Sequence, residues 1–405
     1  KPNALYINDG TGTFALKEDS GLQKAKGSMT MALSDVDGDG DLDLYITNYK
    51  ERQAKDIFDL RELSIENLTR RTDDGFEIRP PYEQHFALLQ DEDGYNQREL
   101  GEIDELYINR GDGTFQVAEN PEQIFLDKDG NPQGLDLDWG LAARFADMNG
   151  DGLQDLYVCN DYWTPDRIWL SRGDGTFQAM DELGIRNTSF YSMAIDFSDV
   201  NNDGALDFFI TEMLGETHQE RMRQLVPNDP VYERRTKDRP QYNRNSFYMN
   251  RKDGTFAELS YFSGLEATSW SWAAKFLDVD LDGYEDLIVN NGFSYDMQDL
   301  DAQNRISQEV MRQAEPMRDY VLRFPRLEHV NKVYRNGGDL KFEDVSRAWG
   351  IDEADISHGM ATADFDKDGD LDIAINRLND EARIYENRTG AGRIAVRLIG
   401  SEPNT

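Results

Sequence analysis

The sequence predicts an all-β fold, a β-propeller built from four-stranded antiparallel blades. Three recurring signals carry that expectation: an acidic loop, the short apolar strands on either side of it, and a Gly-rich hairpin that follows. The acidic loop is plainest at residues 35–46, DVDGDGDLDLYI. It recurs as DMNGDGLQDLYV from Asp147, DVNNDGALDFFI from Asp199, DVDLDGYEDLIV from Asp278 and DFDKDGDLDIAI from Asp364. All share D-x-[DN]-x-D-G-x-x-D followed by apolar residues, and an acidic composition alone fixes neither that spacing nor the Gly.

The spacing suits a hard cation. Calcium takes roughly 6–8 oxygen ligands, and alternate residues of a tight loop can turn oxygens toward one centre. The expected ligands are Asp35, Asp37, Asp39, Asp41 and Asp43 in the first loop and Asp147, Asn149, Asp151, Leu153 and Asp155 in the second. The third offers Asp199, Asn201, Asp203, Ala205 and Asp207, and the fourth Asp278, Asp280, Asp282, Tyr284 and Asp286. The fifth offers Asp364, Asp366, Asp368, Asp370 and Asp372. The fourth residue of each set is expected to lend its backbone carbonyl. An EF-hand begins in the same way but closes with a bidentate Glu and is flanked by helices. Here that closing position holds Ile46, Val158, Ile210, Val289 or Ile375, so each loop should run directly into a strand.

The strand before each loop reads MTMALS, LAARFA, MAIDFS, WAAKFL or HGMATA. The hairpins read ALYINDGTGTF (4–14), ELYINRGDGTF (105–115), RIWLSRGDGTF (167–177), SFYMNRKDGTF (246–256) and, more loosely, KVYRNGGDLKF (332–342). ARIYENRTGAGRIAV (382–396) is a degenerate copy. The DGT tips carry too few carboxylates for a metal and read as turn chemistry. Strand A, loop, strand B and a C–D hairpin make one blade. Full units begin near residues 29, 140, 192, 271 and 357, and residues 4–18 supply the C and D strands of another.

The loop together with the NxGDGTF hairpin resembles the FG-GAP or VCBS repeat, the calcium-binding blade also found in integrin α-chain propellers. WSWAAKFLDVDLDGYEDLIVNNG and MAIDFSDVNNDGALDFFITEM are similar in particular to the ASPIC/UnbV group, the bacterial relatives of cartilage acidic protein. The resemblance implies about six or seven blades, a propeller over residues 1–390, and a tail, 391–405, that is either a last strand or the opening of a truncated ASPIC/UnbV-like module. It also implies about five Ca²⁺ ions.

Lys plus Arg total 43 against 79 Asp plus Glu, a formal charge of −36, which disfavours nucleic acid and anionic membrane as partners. Cys159 is the single cysteine and sits in the apolar run LYVC, as a buried inert thiol would. No apolar window is long enough to span a bilayer. Lys1 reads as a processed or truncated start, and the expected location is extracellular, cell-surface or periplasmic.

Strand polarity separates two sides of each blade. Loops and Gly-rich turns share one end of the strands. The long B-to-C insertions, 50–104, 213–245 and 293–331, share the other, and each contains helix-like stretches such as RQAKDIFDLREL and ISQEVMRQAEPMRDYVLRF. Insertions on a rigid scaffold are where binding concentrates, although they can equally cap the blades. Arg221, Arg223, Arg234, Arg235, Lys237, Arg239 and Arg244 crowd one insertion; they either pair with the acidic surface or receive a carboxylate or sulfate. Trp139, Tyr191, Trp270, Trp272, Tyr162, Trp163, Phe293 and Tyr295 gather on this side, as stacking surfaces for sugars or as packing between blades. On strand A, Arg144, Asp196 and Lys275 occupy equivalent positions in consecutive blades and are expected to form one ion network.

No GxSxG, HExxH or Walker loop occurs, and His85, His218, His329 and His358 form no spaced metal motif. The expectation is a secreted or surface calcium-binding propeller acting as a protein- or glycan-binding adhesion module, without catalytic residues. The alternative is a calcium-dependent, lyase-like polysaccharide enzyme on the same scaffold.

Overall fold

The computed structural model describes every residue except 1, 60–61, 74, 92–93, 225–233, 236–238, 314–319, 393, 395 and 397–405. The chain forms two compact units, residues 1–145 with 153–179, and residues 146–152 with 180–405.

The first unit holds two blades. Blade 1 runs Ser28–Ser34, Asp43–Asn48, Glu105–Asn109 and Phe115–Val117 as a four-stranded antiparallel sheet. Blade 2 runs Gly140–Ala146, Asp155–Asn160, Arg167–Ser171 and Phe177–Ala179, and Phe125–Leu126 adds a parallel fifth strand to its outer edge. Tyr6–Asn8 and Phe14–Leu16 pair as a separate hairpin. The second unit holds blade 3 (Ala194–Ser198, Asp207–Thr211, Ser246–Asn250, Phe256–Glu258) and blade 4 (Ser271–Leu277, Asp286–Asn291, Lys332–Asn336, Phe342–Asp344). Blade 5 has three strands among the described residues: Ser357–Ala363, Asp372–Arg377 and Arg383–Tyr385. The fold is thus an all-β propeller with five blades, and the four-strand blade holds in four of them.

Strand B explains why these segments pair as they do. It is buried along its whole length in blades 1 to 4, with both faces covered, so it reads as a continuous apolar run rather than an alternating one. Neighbouring blades pack through it. In the first unit Tyr45, Leu156, Val158, Trp169 and Phe177 share a cluster with Phe125. In the second, Phe209 and Phe247 of blade 3 meet Phe276, Leu287 and Val289 of blade 4, and Ile288 and Val333 of blade 4 meet Ile373 and Ile375 of blade 5.

Strand register sets the polarity of each blade. Ser34 pairs with Asp43 at the loop end of blade 1, and Ser28 pairs with Asn48 at the other end, from which insertion 50–104 departs. The same register holds in blade 4, where Leu277 faces Asp286 and Ser271 faces Asn291.

The insertions are less helical than their sequences suggest. Insertion 50–104 is mainly two hairpins, Thr69–Thr72 with Gly75–Ile78 and Phe86–Asp91 with Gly94–Glu99. Among the described residues RQAKDIFDLREL contributes the 3₁₀ turn Ala54–Asp56, which brings buried Ala54 and half-buried Phe58 onto Leu68 and Phe86, and a 3₁₀ residue at Glu62. The later insertions keep their helices, His218–Arg223 and Leu300–Gln313. Asp299 caps the second, its Oδ1 accepting from the backbone N–H of Asp301 and Ala302 at 2.9 and 3.0 Å.

Candidate metal centres and the insertion side

Each acidic loop is wound around its first aspartate. Asp199 accepts the N–H of Asp203 and of Gly204, both at 2.8 Å. Asp278 and Asp364 repeat the pattern, Asp35 takes Gly38 and Gly40, and Asp147 takes Gly150, Asp151 and Gly152. The turn needs its Gly: Gly283 has φ +94° and Gly369 φ +98°, where a Cβ is strained. With the backbone N–H groups drawn to one carboxylate, the others face inward. Carboxylate oxygens of Asp35, Asp37 and Asp39 lie within 4.8 Å of one another, as do those of Asp278, Asp280 and Asp282, and of Asp364, Asp366 and Asp372.

The last aspartate of each loop is buried and does a second task. Asp43 accepts Val36 N–H on one oxygen and Asn109 N–H on the other, at 2.9 and 2.8 Å. Asp207 does so with Val200 and Asn250, Asp286 with Val279 and Asn336, and Asp372 with Phe365 and Asn387. In blade 2 Asp155 accepts from Ser171 N–H at 2.8 Å. The carboxylate therefore pins the loop to the hairpin of its own blade. Burial pushes Asp207 and Asp286 up to about 7, against the pull of two backbone N–H groups on each.

These residues fit a hard divalent cation. The donors are all oxygen, and Asp280 Oδ1 is buried with no hydrogen bond among the described residues. The loops are not alike, however. Arg335 donates to Asp280 Oδ2 at 2.6 Å and Asp282 Oδ2 at 2.8 Å, and Lys252 Nζ lies 3.2 Å from Asp203. Sequence reasoning missed both cations, and it missed the asparagines at 109, 250, 336 and 387. Their signal was available: the hairpin repeat places Asn at that position in all copies but RIWLS.

On the insertion side the arginines are engaged within the chain. Arg221 pairs with Glu266 (3.4 Å), Arg223 with Asp299, and Arg244 with Glu258 (2.8 Å) while lying over the Tyr242 ring; buried Arg239 donates to the Met180 carbonyl. Lys237 lies outside the described residues. Of the two readings, pairing within the chain holds for these four arginines, whose carboxylate and carbonyl partners belong to the chain.

Most of the aromatic group is packing as well. Tyr49, Trp139 and Tyr162 meet edge to face, and Trp139 and Trp163 both donate to the Glu99 carbonyl. Phe293 stacks on Trp270 at 4.2 Å and Trp272 donates to the Gly292 carbonyl. Trp270 differs. Its Nε1 is buried without a hydrogen bond among the described residues, and it borders a cavity of about 60 Å³ with Glu220, Arg223, Gln224, Asp296 and Gln298.

Asp196 holds half of the expected ion network. It is fully buried, sits 3.6 Å from Lys275 Nζ, and accepts Phe276 N–H at 2.8 Å. Arg144 belongs to the other unit.

One titrating contact joins two insertions. His329 Nε2 lies 3.5 Å from Glu220 and Nδ1 3.9 Å from Glu216, which also binds Lys332 at 2.6 Å. Burial alone would lower His329, but Glu220 and Glu216 overcome it and hold it above its ordinary 6.5. A raised folded value means the protonated pair stabilises fully below about 6.5 and is lost as pH rises through the folded value. Protection of the 218–223 helix amides from hydrogen exchange should therefore fall as pH rises above about 6.5. In His329→Gln that slope should vanish; an unchanged slope would rule the contact out as its cause.

Repeated blades, each with a wound acidic loop at one end, define a repeat β-propeller. The FG-GAP-like repeat family matches residues 1–46, 147–210 and 317–375, and over those stretches the chain is similar to that repeat. Among curated proteins none matches. Solved structures similar to the chain include an Agrocybe aegerita lectin that recognises non-reducing terminal N-acetylglucosamine, at 14% identity over 84% of this chain and 72% of that one, TM-score 0.30. Another is a Trypanosoma rangeli sialidase in complex with sialic acid, at 9% identity over 94% of this chain and 56% of that one, TM-score 0.30. Overlaps this loose transfer no ligand to this chain. No helix of the described residues is long and apolar enough to cross a membrane.

Proposed function

We propose that this chain is a calcium-binding propeller module, allied to the ASPIC/UnbV group, that binds a protein or glycan partner through its B-to-C insertions outside the cell or in the periplasm. Its carrying observation is the repeated loop in which one aspartate gathers the backbone N–H groups and leaves the remaining carboxylates convergent. About five Ca²⁺ ions are held, each by the first, third, fifth and ninth side chains and the seventh carbonyl. The ions offset crowded negative charge, so they stabilise the folded state rather than take part in a reaction.

A ligand that binds only the folded state adds about 2.7 kcal/mol at a hundredfold excess over its dissociation constant. Calcium should raise the melting temperature and EGTA lower it, with Mg²⁺ a poor replacement because its small octahedral shell fits such loops badly. A melting curve indifferent to both calcium and prolonged EGTA dialysis would refute the calcium reading. For the partner, a glycan array probed with wild type and Trp270→Phe separates the two classes. A hit that the variant loses favours a glycan at the Trp270 cavity; an empty array favours a protein.

A further inference from the structure

The loops of the second unit are connected. Asn250 of blade 3 gives its backbone N–H to Asp207 of its own loop and its side-chain amide to the Met148 carbonyl, in the loop of blade 2, at 2.9 Å. Asn336 of blade 4 repeats this one step on: backbone to Asp286, side-chain amide to the Val200 carbonyl of the blade 3 loop at 2.9 Å. Asn387 of blade 5 repeats it again, backbone to Asp372 and side-chain amide to the Val279 carbonyl at 2.8 Å. Two of the bridged loop residues in turn meet the last aspartate of their own loop through their N–H, Val200 to Asp207 and Val279 to Asp286. The result is an unbroken hydrogen-bond line from the loop of blade 2 to that of blade 5. Asp207, Asp286 and Asn336 along it are fully buried. In blade 1 the equivalent Asn109 amide goes to Leu42, within its own blade.

We propose that this line makes metal binding by the second unit's loops positively cooperative, with Asn250, Asn336 and Asn387 as the coupling residues. The proposal rests on the calcium reading above. An ion that fixes Asp286 also fixes the peptide of Val279 and the backbone of Asn336. Asn336 then holds the Val200 peptide, and so Asp207, in the geometry the previous loop needs. Ordering one loop lowers the entropic cost of ordering its neighbours, which is a coupling free energy in the ordinary sense. The connecting bonds are short, and those of Asn250 and Asn336 are buried, as a coupling element with discrete arrangements requires.

The test is a calcium titration of the full chain by isothermal calorimetry, beside hydrogen exchange at the Val200 and Val279 amides. The expected result is a Hill coefficient near 2, with both amides becoming protected over one calcium range. Coupling of this kind typically changes neighbouring affinity about 5- to 150-fold. Asn336→Ala should reduce the Hill coefficient toward 1 at an unchanged number of bound ions, while Asn109→Ala should leave it as in wild type. If Asn336→Ala does not fold, Asp364→Ala serves instead: loss of the fifth loop should move Val279 protection to higher calcium. Several ions binding with a Hill coefficient of 1, or Val279 protection indifferent to Asp364→Ala, overturns the coupling and leaves the calcium reading standing. No calcium binding at all overturns both.

Discussion

Asp286→Ala should destabilise the second unit by about 3–5 kcal/mol, and the loss should persist in EGTA. The magnitude follows from what the carboxylate holds. It is fully buried and accepts Asn336 N–H at 2.9 Å and Val279 N–H at 3.0 Å. Removing it strands two buried backbone donors, at about 1–3 kcal/mol each, and leaves a small void. The matched control is Asp280→Ala in the same loop, whose side chain is more open and accepts from Arg335. That change should weaken calcium binding but cost little once the metal is stripped. Denaturant unfolding of both variants, with calcium and with EGTA, separates the roles. If the two lose the same amount, and only in calcium, Asp286 is a ligand and nothing more.

Asp196→Ala should cost about 3 kcal/mol by the same measurement. Strand Ser271–Leu277 is a sheet edge, so its outward N–H groups have no ladder partner. Asp196 supplies one acceptor, to Phe276, and balances Lys275, whose side chain is two-thirds buried. Removing one partner of a buried charge pair costs about 3–5 kcal/mol, because the other charge remains. Asp196→Asn keeps an acceptor for Phe276 and should fall between wild type and Ala. The exposed pair Arg70–Glu77 is the reference: Glu77→Ala should cost under about 1 kcal/mol. A loss no larger for Asp196→Ala would mean that the carboxylate does not carry the charge balance described.

The blades were legible because the physics that makes them is local and repeated. Gly283 and Gly369 announce a left-handed turn, the apolar run after each announces a strand buried on both faces, and the aspartate spacing announces convergence on one centre. The insertions were not legible in the same way. RQAKDIFDLREL has a helical pattern, but its outcome depends on how much apolar surface Leu68 and Phe86 offer it, which is a tertiary fact. The arginines left two readings open for a related reason. Their density suited either an external anion or the chain's own acids, and only the fold shows that Glu266, Asp299 and Glu258 lie within reach. The asparagines of the hairpins were visible yet given no role. Sequence displays that they recur, but not that Asn250, Asn336 and Asn387 reach backward to the loop before them.

That backward reach has a consequence for how such a chain can be cut and recombined. The segment that repeats in sequence runs from one strand A to the next, but the segment held together in space is offset from it: residues 146–152 group with the unit that contains Asn250. The module of duplication and the module of folding are therefore out of phase. A fragment trimmed at sequence boundaries would keep an asparagine without its carbonyl at one end and a carbonyl without its asparagine at the other. Excision or grafting should instead follow the spatial frame, carrying the acidic loop of the preceding blade together with the blade that grips it.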